Sequence, residues 1–432
     1  MDLPADFEQY TRRLMGEKLF AIYLNGLSVE APVSIRINPF KCSSDVFIPL
    51  HDSIVPWSEY GYYLTHRPNF TFDPLFHAGL YYVQEASSMF HEHVIRQLMK
   101  EFSFNNLNVL DLCAAPGGKS ITIRSVLPDE SILYSNEPNR TRAQILMENM
   151  QKWGHPNVIV TNNYARDFQK ARLLFDIIIA DVPCSGEGMF RKDQNSIQEW
   201  SVQNVEKCKN LQREIISDIW PCLNPNGFLV YSTCTFNARE NEENVNWMAE
   251  ELGADFVTID TKEEWGITGS LIDEHPVYRF IPGKTRGEGL FVAVLKKRSD
   301  DEMFQNIHPK TSYLRVMTDE QPLSSNKKKD IPPHSKALSI RLDRQEFPNV
   351  EINYSQAISY LRKEAIVLPI ETPKGIVLLT YQDIPIGFAK NIGNRANNLY
   401  PTEWKIKSTH IPEHETILEF ARPYHDGGHK EN

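Results

Sequence analysis

The chain has 432 residues, of which 41% are hydrophobic and 24% charged, with 46 basic against 56 acidic side chains and a formal net charge of −10. This is a globular composition, and the length exceeds one ordinary core, so two or three domains are expected. No apolar run approaches the roughly 20 residues that span a bilayer, the start MDLPADFEQY lacks a signal peptide's basic and apolar regions, and a cytoplasmic protein is expected. The negative sum counts mildly against a nucleic-acid partner, although it is blind to local patches of Lys and Arg.

FEQYTRRLMGEKLFAIYL has helical spacing, VSIRINPFK reads as a strand, and AGLYYVQEASSMFHEHVIRQLM leads into a further helix, giving an α+β region over 1–104. From 105 to 298 short apolar runs alternate with helical patterns: NVLDLC, ILYSNEP, NVIVTNN, FDIIIADVPC and GFLVYSTCT are the runs. Between them lie a helix with Ala143, Leu146, Met147 and Met150 on one stripe and a longer one through Cys208, Leu211, Ile215 and Ile219. Such alternation predicts a parallel sheet covered on both faces, whose strands are apolar almost throughout. GLFVAVLKK, 289–297, reads as a late strand at an antiparallel edge. Residues 299–338, with SDDEMFQN, SSNKKKD and IPPHSK, lack periodicity and read as a linker. EAIVLPI, GIVLLTYQDIPIGFAK and NIGNRANNLYPTEWKI then predict a small β-rich module over 339–432.

Six cysteines, at 42, 113, 184, 208, 222 and 234, form no CxxC pair, which leaves a metal site without support and predicts free thiols. Two of them, Cys184 and Cys234, end apolar runs. The bland reading is a small buried residue at a strand end. NVLDLCAAPGGKS sets a tight loop, Cys113, Ala114, Ala115, Pro116, Gly117, Gly118 and Lys119, between a strand and a helix. GKS matches the end of a P-loop, but Cys113 stands where its first glycine belongs, and GxGxxG is absent. The small residues therefore suit backbone approach to a ligand without phosphates. Glu137, at the end of the next strand, occupies the position from which an acid accepts ribose hydroxyls. Loop and acid together point to S-adenosyl-L-methionine.

CAAPGGKS, DVPCSGEGMFRKD and YSTCTFNARENEENV resemble the three signature motifs of the RNA 5-methylcytosine methyltransferases of the Nop2/Sun family, and within it the bacterial RsmF-like ribosomal RNA enzymes. RINPFK, AGLYYVQEASSM, RFIPGKTRGEGLFVAVLKK and GFAKNIGNRANNLYP extend the resemblance over most of the chain outside 299–338. It implies a Rossmann-like S-adenosylmethionine-dependent methyltransferase sheet, an N-terminal RNA-binding region and a PUA-like C-terminal RNA-binding module. It also implies methylation of cytosine C5, with Cys234 as the attacking thiol and Cys184 assisting release. C5 is a poor nucleophile until a thiolate adds at C6, so the reaction calls for covalent catalysis. Asp181, three residues before Cys184, is expected at N3 of the base and at the cofactor; Lys119 is expected to lower a thiol pKa or contact the base.

After the third strand the family offers an acid to adenine, where this chain has TNNYARDF, and Asn163 is the expected substitute. Arg191 and Lys192 are the expected RNA contacts, with RLMGEKLF, RINPFK and FAKNIGNR as further candidates; for each alone a solvated surface is the simpler reading. The resemblance points to small-subunit ribosomal RNA, bound by a monomer, with transfer RNA as the rival. Two other classes stay open. An amino-group methyltransferase would carry Asp/Asn-Pro-Pro-aromatic where DVPC stands, and a non-catalytic ribosome-assembly factor would have lost a cysteine.

Overall fold

A computed structural model describes residues 2–42, 46–299, 310–317, 331–408, 410, 411 and 413–420. Parts of the expected linker (300–309 and 318–330) and of the C-terminal segment (421–432) lie outside the described residues. The N-terminal helix α1, Ala5–Ser28, breaks its helical dihedrals at Gly16, where φ is +71°. The buried stripe Phe7, Thr11, Met15 is thereby reset to Phe20, Tyr23 and Leu27. There follow β1 (Val33–Ile37), β2 (Val46–Phe47), β3 (His51–Ile54), β4 (Gly61–Leu64), α2 (Pro74–His77), β5 (Tyr81–Val83) and α3 (Phe90–Leu98). Four of these strands form an antiparallel sheet ordered β3-β4-β1-β5.

The central region runs β6 (Asn108–Asp111), α4 (Gly118–Arg124), β7 (Ile132–Asn136), α5 (Arg140–Trp153), β8 (Val158–Thr161), α6 (Ala165–Ala171) and β9 (Phe175–Asp181). It continues with α7 (Gln194–Glu199), α8 (Val202–Ile219), β10 (Leu223–Thr233), α9 (Glu242–Glu251), β11 (Ala254–Phe256), β12 (Val277–Phe280) and β13 (Leu290–Lys297). The sheet order is β11-β13-β10-β9-β6-β7-β8, with β6 to β10 parallel. Alternate residues of each strand enter opposite cores. Val109, Ile177, Ile179 and Val230 pack on one face, and Leu110, Ile178, Ala180 and Leu229 on the other. Both faces are covered, which is why the runs are apolar throughout. Strand order reverses between β6 and β9, opening the crevice at their carboxyl ends where α/β sheets bind ligands.

Three expectations need correction. β13 is antiparallel but not an edge, since β10 pairs with one side of it and β11 and β12 with the other. On α8 the buried residues are Val205, Gln212, Ile216 and Ile219, while Leu211 is exposed. A polar Gln212 in the buried stripe shifted the apparent hydrophobic register. The third correction concerns the linker: residues 310–317 pack along β8, with Asn162 N–H donating to Arg315 O (2.9 Å), Met317 N–H to Val160 O (2.8 Å), and Leu314 buried in the sheet's core.

The C-terminal region contains α10 (His334–Leu338), β14 (Asn349–Glu351), α11 (Tyr354–Leu361), β15 (Gly375–Tyr381), β16 (Ile384–Asn391) and β17 (Ala396–Asn398), with sheet order β14-β15-β16-β17. Its core is shared with the N-terminal sheet: Ile35, Leu75, Leu80 and Tyr81 pack in one cluster with Ile358, Tyr360, Leu379 and Tyr400. Among the described residues no helix is long and apolar enough to cross a membrane.

Candidate active site

The loop after β6 is held from the side by α5. Arg142 Nη2 donates to Ala115 O and Asn149 Nδ2 to Pro116 O, each at 2.8 Å, while Ala114 N–H donates to Asn136 O at 2.7 Å. Gly117 turns with φ +122°, a backbone conformation that L side chains rarely adopt, so the bend of the loop calls for glycine. Gln84, which the sequence reading did not single out, braces the same turn by donating to Gly118 O (3.1 Å) and Thr122 Oγ1 (2.8 Å).

Two carboxyl groups beside this loop are buried and incompletely partnered. Glu137 accepts Asn139 N–H on Oε1 at 3.0 Å, but Oε2 has no hydrogen bond, only Arg142 Nη1 at 3.3 Å. Asp111 accepts Ser120 O–H on Oδ2 at 2.6 Å and leaves Oδ1 without a donor. Burial pushes the Asp111 carboxyl up to about 7. Unsatisfied buried acceptors require donors. The ribose hydroxyls and amino group of S-adenosyl-L-methionine are donors, so the residues present fit that group. Cys113, in the same loop, packs against the sheet core, and burial raises its thiol pKa. Asn163 is a different matter. Its Nδ2 donates to Arg315 O and its Oδ1 accepts Arg315 N–H, at 3.2 and 2.9 Å, so the amide expected at adenine is spent on the 310–317 segment.

β9 and β10 are parallel neighbours with Asp181 opposite Ser232, and the two chains leave the sheet side by side. Cys184 Sγ and Cys234 Sγ lie 3.0 Å apart. Lys119 Nζ donates to Asp181 Oδ2 at 2.8 Å and Ser232 Oγ to Asp181 Oδ1 at 2.7 Å. Burial works against the Lys119 ammonium, yet Asp181 more than compensates and holds its pKa above the usual lysine value. The hydrogen bond with Cys234, and then burial, push the Cys184 thiol well up. Two cysteine sulfurs and a Lys–Asp pair thus line one rim. No group of residues able to hold a metal occurs among the described residues.

The expected RNA contacts divide. The Arg191 guanidinium is buried, paired with Glu288 at 3.0 Å and donating to Gly26 O (2.8 Å) and Gly287 O (3.0 Å), so it ties α1 to the late loop and does not face solvent. Lys192 is half-exposed with Glu288 at 3.5 Å. RINPFK is also structural. Arg36 is sealed against Glu92 (2.8 Å), Asn38 Nδ2 donates to Trp153 O (2.9 Å), and Lys41 Nζ donates to Lys152 O (2.6 Å).

Comparison with known proteins adds the following. The chain matches the descriptions "N-terminal domain of 16S rRNA methyltransferase RsmF" over residues 3–86, "16S rRNA methyltransferase RsmB/F" over 102–296, and "Methyltransferase RsmF PUA domain" over 347–406. It is 26% identical to the ribosomal RNA small subunit methyltransferase F of Erwinia tasmaniensis, across 93% of this chain and 96% of that protein. It is 28% identical to the protein of the same name from Escherichia coli, across 86% of this chain and 89% of that one. Among solved structures, NSun6 from Pyrococcus horikoshii with SFG shares the fold at TM-score 0.57 and 20% identity, covering 69% of this chain and 99% of that chain. A methyltransferase homolog from the same organism does so at TM-score 0.55 and 24% identity, over 68% and 100%.

Proposed function

We propose that the chain, which matches the RsmF N-terminal, RsmB/F methyltransferase and RsmF PUA descriptions over 3–86, 102–296 and 347–406, methylates C5 of a cytosine in small-subunit ribosomal RNA through a covalent adduct on Cys234. S-adenosyl-L-methionine is the methyl donor and supplies an electrophilic methyl group when bound; the loop from Cys113 to Gly118, with Asp111 and Glu137, would hold it. The thiol pair supports this reading most directly, because two cysteine sulfurs 3.0 Å apart beside a Lys–Asp pair put an attacking thiol and a second, proton-carrying thiol at one ligand crevice.

The residues' work follows from the chemistry of the ring. The cytosine must leave its stack to reach the sulfurs, so a flipped or single-stranded base is the substrate form. The Cys234 thiolate adds to C6, and the C5=C6 pair moves to C5 and onto the N3–O2 edge. The Lys119 ammonium supplies the hydrogen bond that stabilises that edge, and Asp181, paired with it at 2.8 Å, orients it. Once methylated, C5 still carries its hydrogen. The C5–H pair then forms C5=C6, the S–C6 bond breaks, and its electrons leave on the Cys234 sulfur. Cys184 relays the proton: its thiol proton passes to Cys234 and the C5 proton replaces it. The one proton released overall departs when Cys234 is next deprotonated.

Cys234→Ala is expected to abolish methyl transfer while RNA binding persists. Cys184→Ala is expected to accumulate a protein–RNA adduct on a denaturing gel with substrate RNA and cofactor. Normal turnover in the first variant, or no adduct in the second, overturns the mechanism. Bisulfite sequencing of ribosomal and transfer RNA from a deletion strain tests the substrate, and a lost signal confined to transfer RNA overturns the ribosomal assignment.

A further inference from the structure

Beneath the two cysteines lies a buried polar network that the reaction as derived does not use. Glu240, fully buried, follows Cys234, yet its Oε2 accepts the N–H of Ser185, next to Cys184, at 3.0 Å. The same oxygen accepts Gln212 Nε2 at 2.7 Å, and Gln212 Nε2 also donates to Pro183 O at 2.9 Å. The main chain is therefore gripped on both sides of Cys184, from one carboxylate and one amide. Asn237 Nδ2 secures the other oxygen, Oε1, at 2.8 Å.

The arrangement has a counterpart running the other way. Glu187, also fully buried, follows Cys184 but accepts the N–H groups of Phe236 and Asn237, just after Cys234, at 2.7 and 2.9 Å. Gly188 N–H donates to Cys234 O at 2.7 Å, and a Cβ on Gly188 would stand 2.5 Å from that oxygen. Each thiol loop thus sends an acid to hold the backbone of the other. Burying two carboxyl groups is costly unless each is fully hydrogen-bonded, and here both oxygens of both groups are engaged.

We propose that Glu240 and Glu187 are reciprocal positioning residues, Glu240 with Gln212 fixing Cys184 for adduct release and Glu187 fixing Cys234 for attack. This rests on the assignment of the two half-reactions to the two thiols. The two acids share the Asn237 amide, whose Nδ2 donates to both, but each accepts main-chain N–H groups beside one cysteine only. The two variants are therefore expected to differ in which half-reaction slows most, whereas loss of a merely structural network would slow both alike.

The test follows single-turnover adduct formation and decay on denaturing gels for Glu240→Ala and Glu187→Ala, with Cys184→Ala alongside and thermal melts of each protein. Glu240→Ala is expected to form adduct near the wild-type rate and release it ~10- to 100-fold more slowly, the cost of a misplacement of about 1 Å. Glu187→Ala is expected to form adduct more slowly by a similar factor and accumulate none. Burial pushes Glu240 up to about 7, so the uncharged Glu240→Gln keeps bulk and one acceptor. If either alanine variant fails to fold, Glu240→Gln and Glu187→Gln are expected to show smaller shifts in the same opposed directions. Equal slowing of both steps in both variants overturns the proposal, as does absence of adduct with Glu240→Ala when Cys184→Ala accumulates it. If Cys184→Ala itself accumulates none, the assignment of the thiols falls first and this one with it.

Discussion

Asp111 sits at the carboxyl end of β6 with one oxygen bonded to Ser120 and the other bare, and burial raises its pKa to about 7. The folded pKa lies above the unfolded value, so in the window between about 4 and 7 the folded state holds a proton that the unfolded chain releases. Its stabilising contribution is complete below that window and is lost as pH rises through it. Asp111→Asn, which keeps an acceptor for Ser120, is expected to gain on the wild type by up to about 1.4 kcal/mol per pH unit across it. Urea titrations of cofactor-free protein at pH 5, 6 and 7 measure this, and a difference independent of pH refutes it. The same residue scale shows what the sequence made legible. Cys184 and Cys234 were readable as neighbours because each ends an apolar run, and parallel strands bring such ends together. Glu187, Gln212 and Glu240 were not. In a string, NARENEEN looks like a solvated acidic turn, and nothing in residue type reveals that Glu240 faces a backbone amide inside the fold. Arg191 failed in the opposite sense: a cation after a motif looks like an RNA contact until Glu288 is found against it.

At the scale of elements, the strands of the central sheet were legible because burial on both faces leaves a continuous apolar run. The segment 310–317 was not, because only Leu314 and Met317 of it pack against apolar neighbours and its attachment is mostly backbone hydrogen bonding. It lies along β8, the strand at the end of the sheet order, where an unpaired row of N–H and C=O groups would otherwise stand. Leu314 is 8% exposed, so Leu314→Ala is expected to cost ~2–3 kcal/mol of stability in urea denaturation, at the low end for a buried leucine. Asn163→Ala removes both side-chain bonds to Arg315 and is expected to cost about 1–3 kcal/mol while leaving affinity for S-adenosyl-L-methionine within about twofold. Calorimetric titration decides the second point. A large affinity loss with unchanged stability would return Asn163 to the adenine.

The whole molecule closes on itself where the N-terminal sheet, the end of α5 and the C-terminal region meet. The shared cluster of Leu75, Leu80, Tyr360 and Tyr400 makes the C-terminal region part of one core, which a sequence ordered as region, linker and module could not disclose. At this junction His334 has both ring nitrogens sealed from solvent without a hydrogen-bond partner, between the edges of Tyr400 (5.1 Å) and Trp404 (5.2 Å). Burial first, then the neighbouring Lys152, Lys363 and Lys41 and His77, lowers its pKa to about 3. A histidine whose folded pKa lies below its unfolded value binds fewer protons folded than unfolded between the two. Its contribution is therefore complete above about 6.5 and is lost as pH falls towards 3. His77, also lowered to about 3, adds to the same acid weakening. His334→Leu gives up no hydrogen bond and removes one such site. At pH 7 it is expected to unfold within about 1 kcal/mol of the wild type, and below pH 6.5 to gain on it by up to about 1.4 kcal/mol per unit. Urea midpoints at pH 7, 6 and 5 measure that divergence. Parallel acid profiles for the two proteins would mean that His334 is not what makes this junction acid-sensitive, and the burden would pass to His77, whose Nε2 and Nδ1 are already engaged by Thr71 O and the Tyr400 hydroxyl.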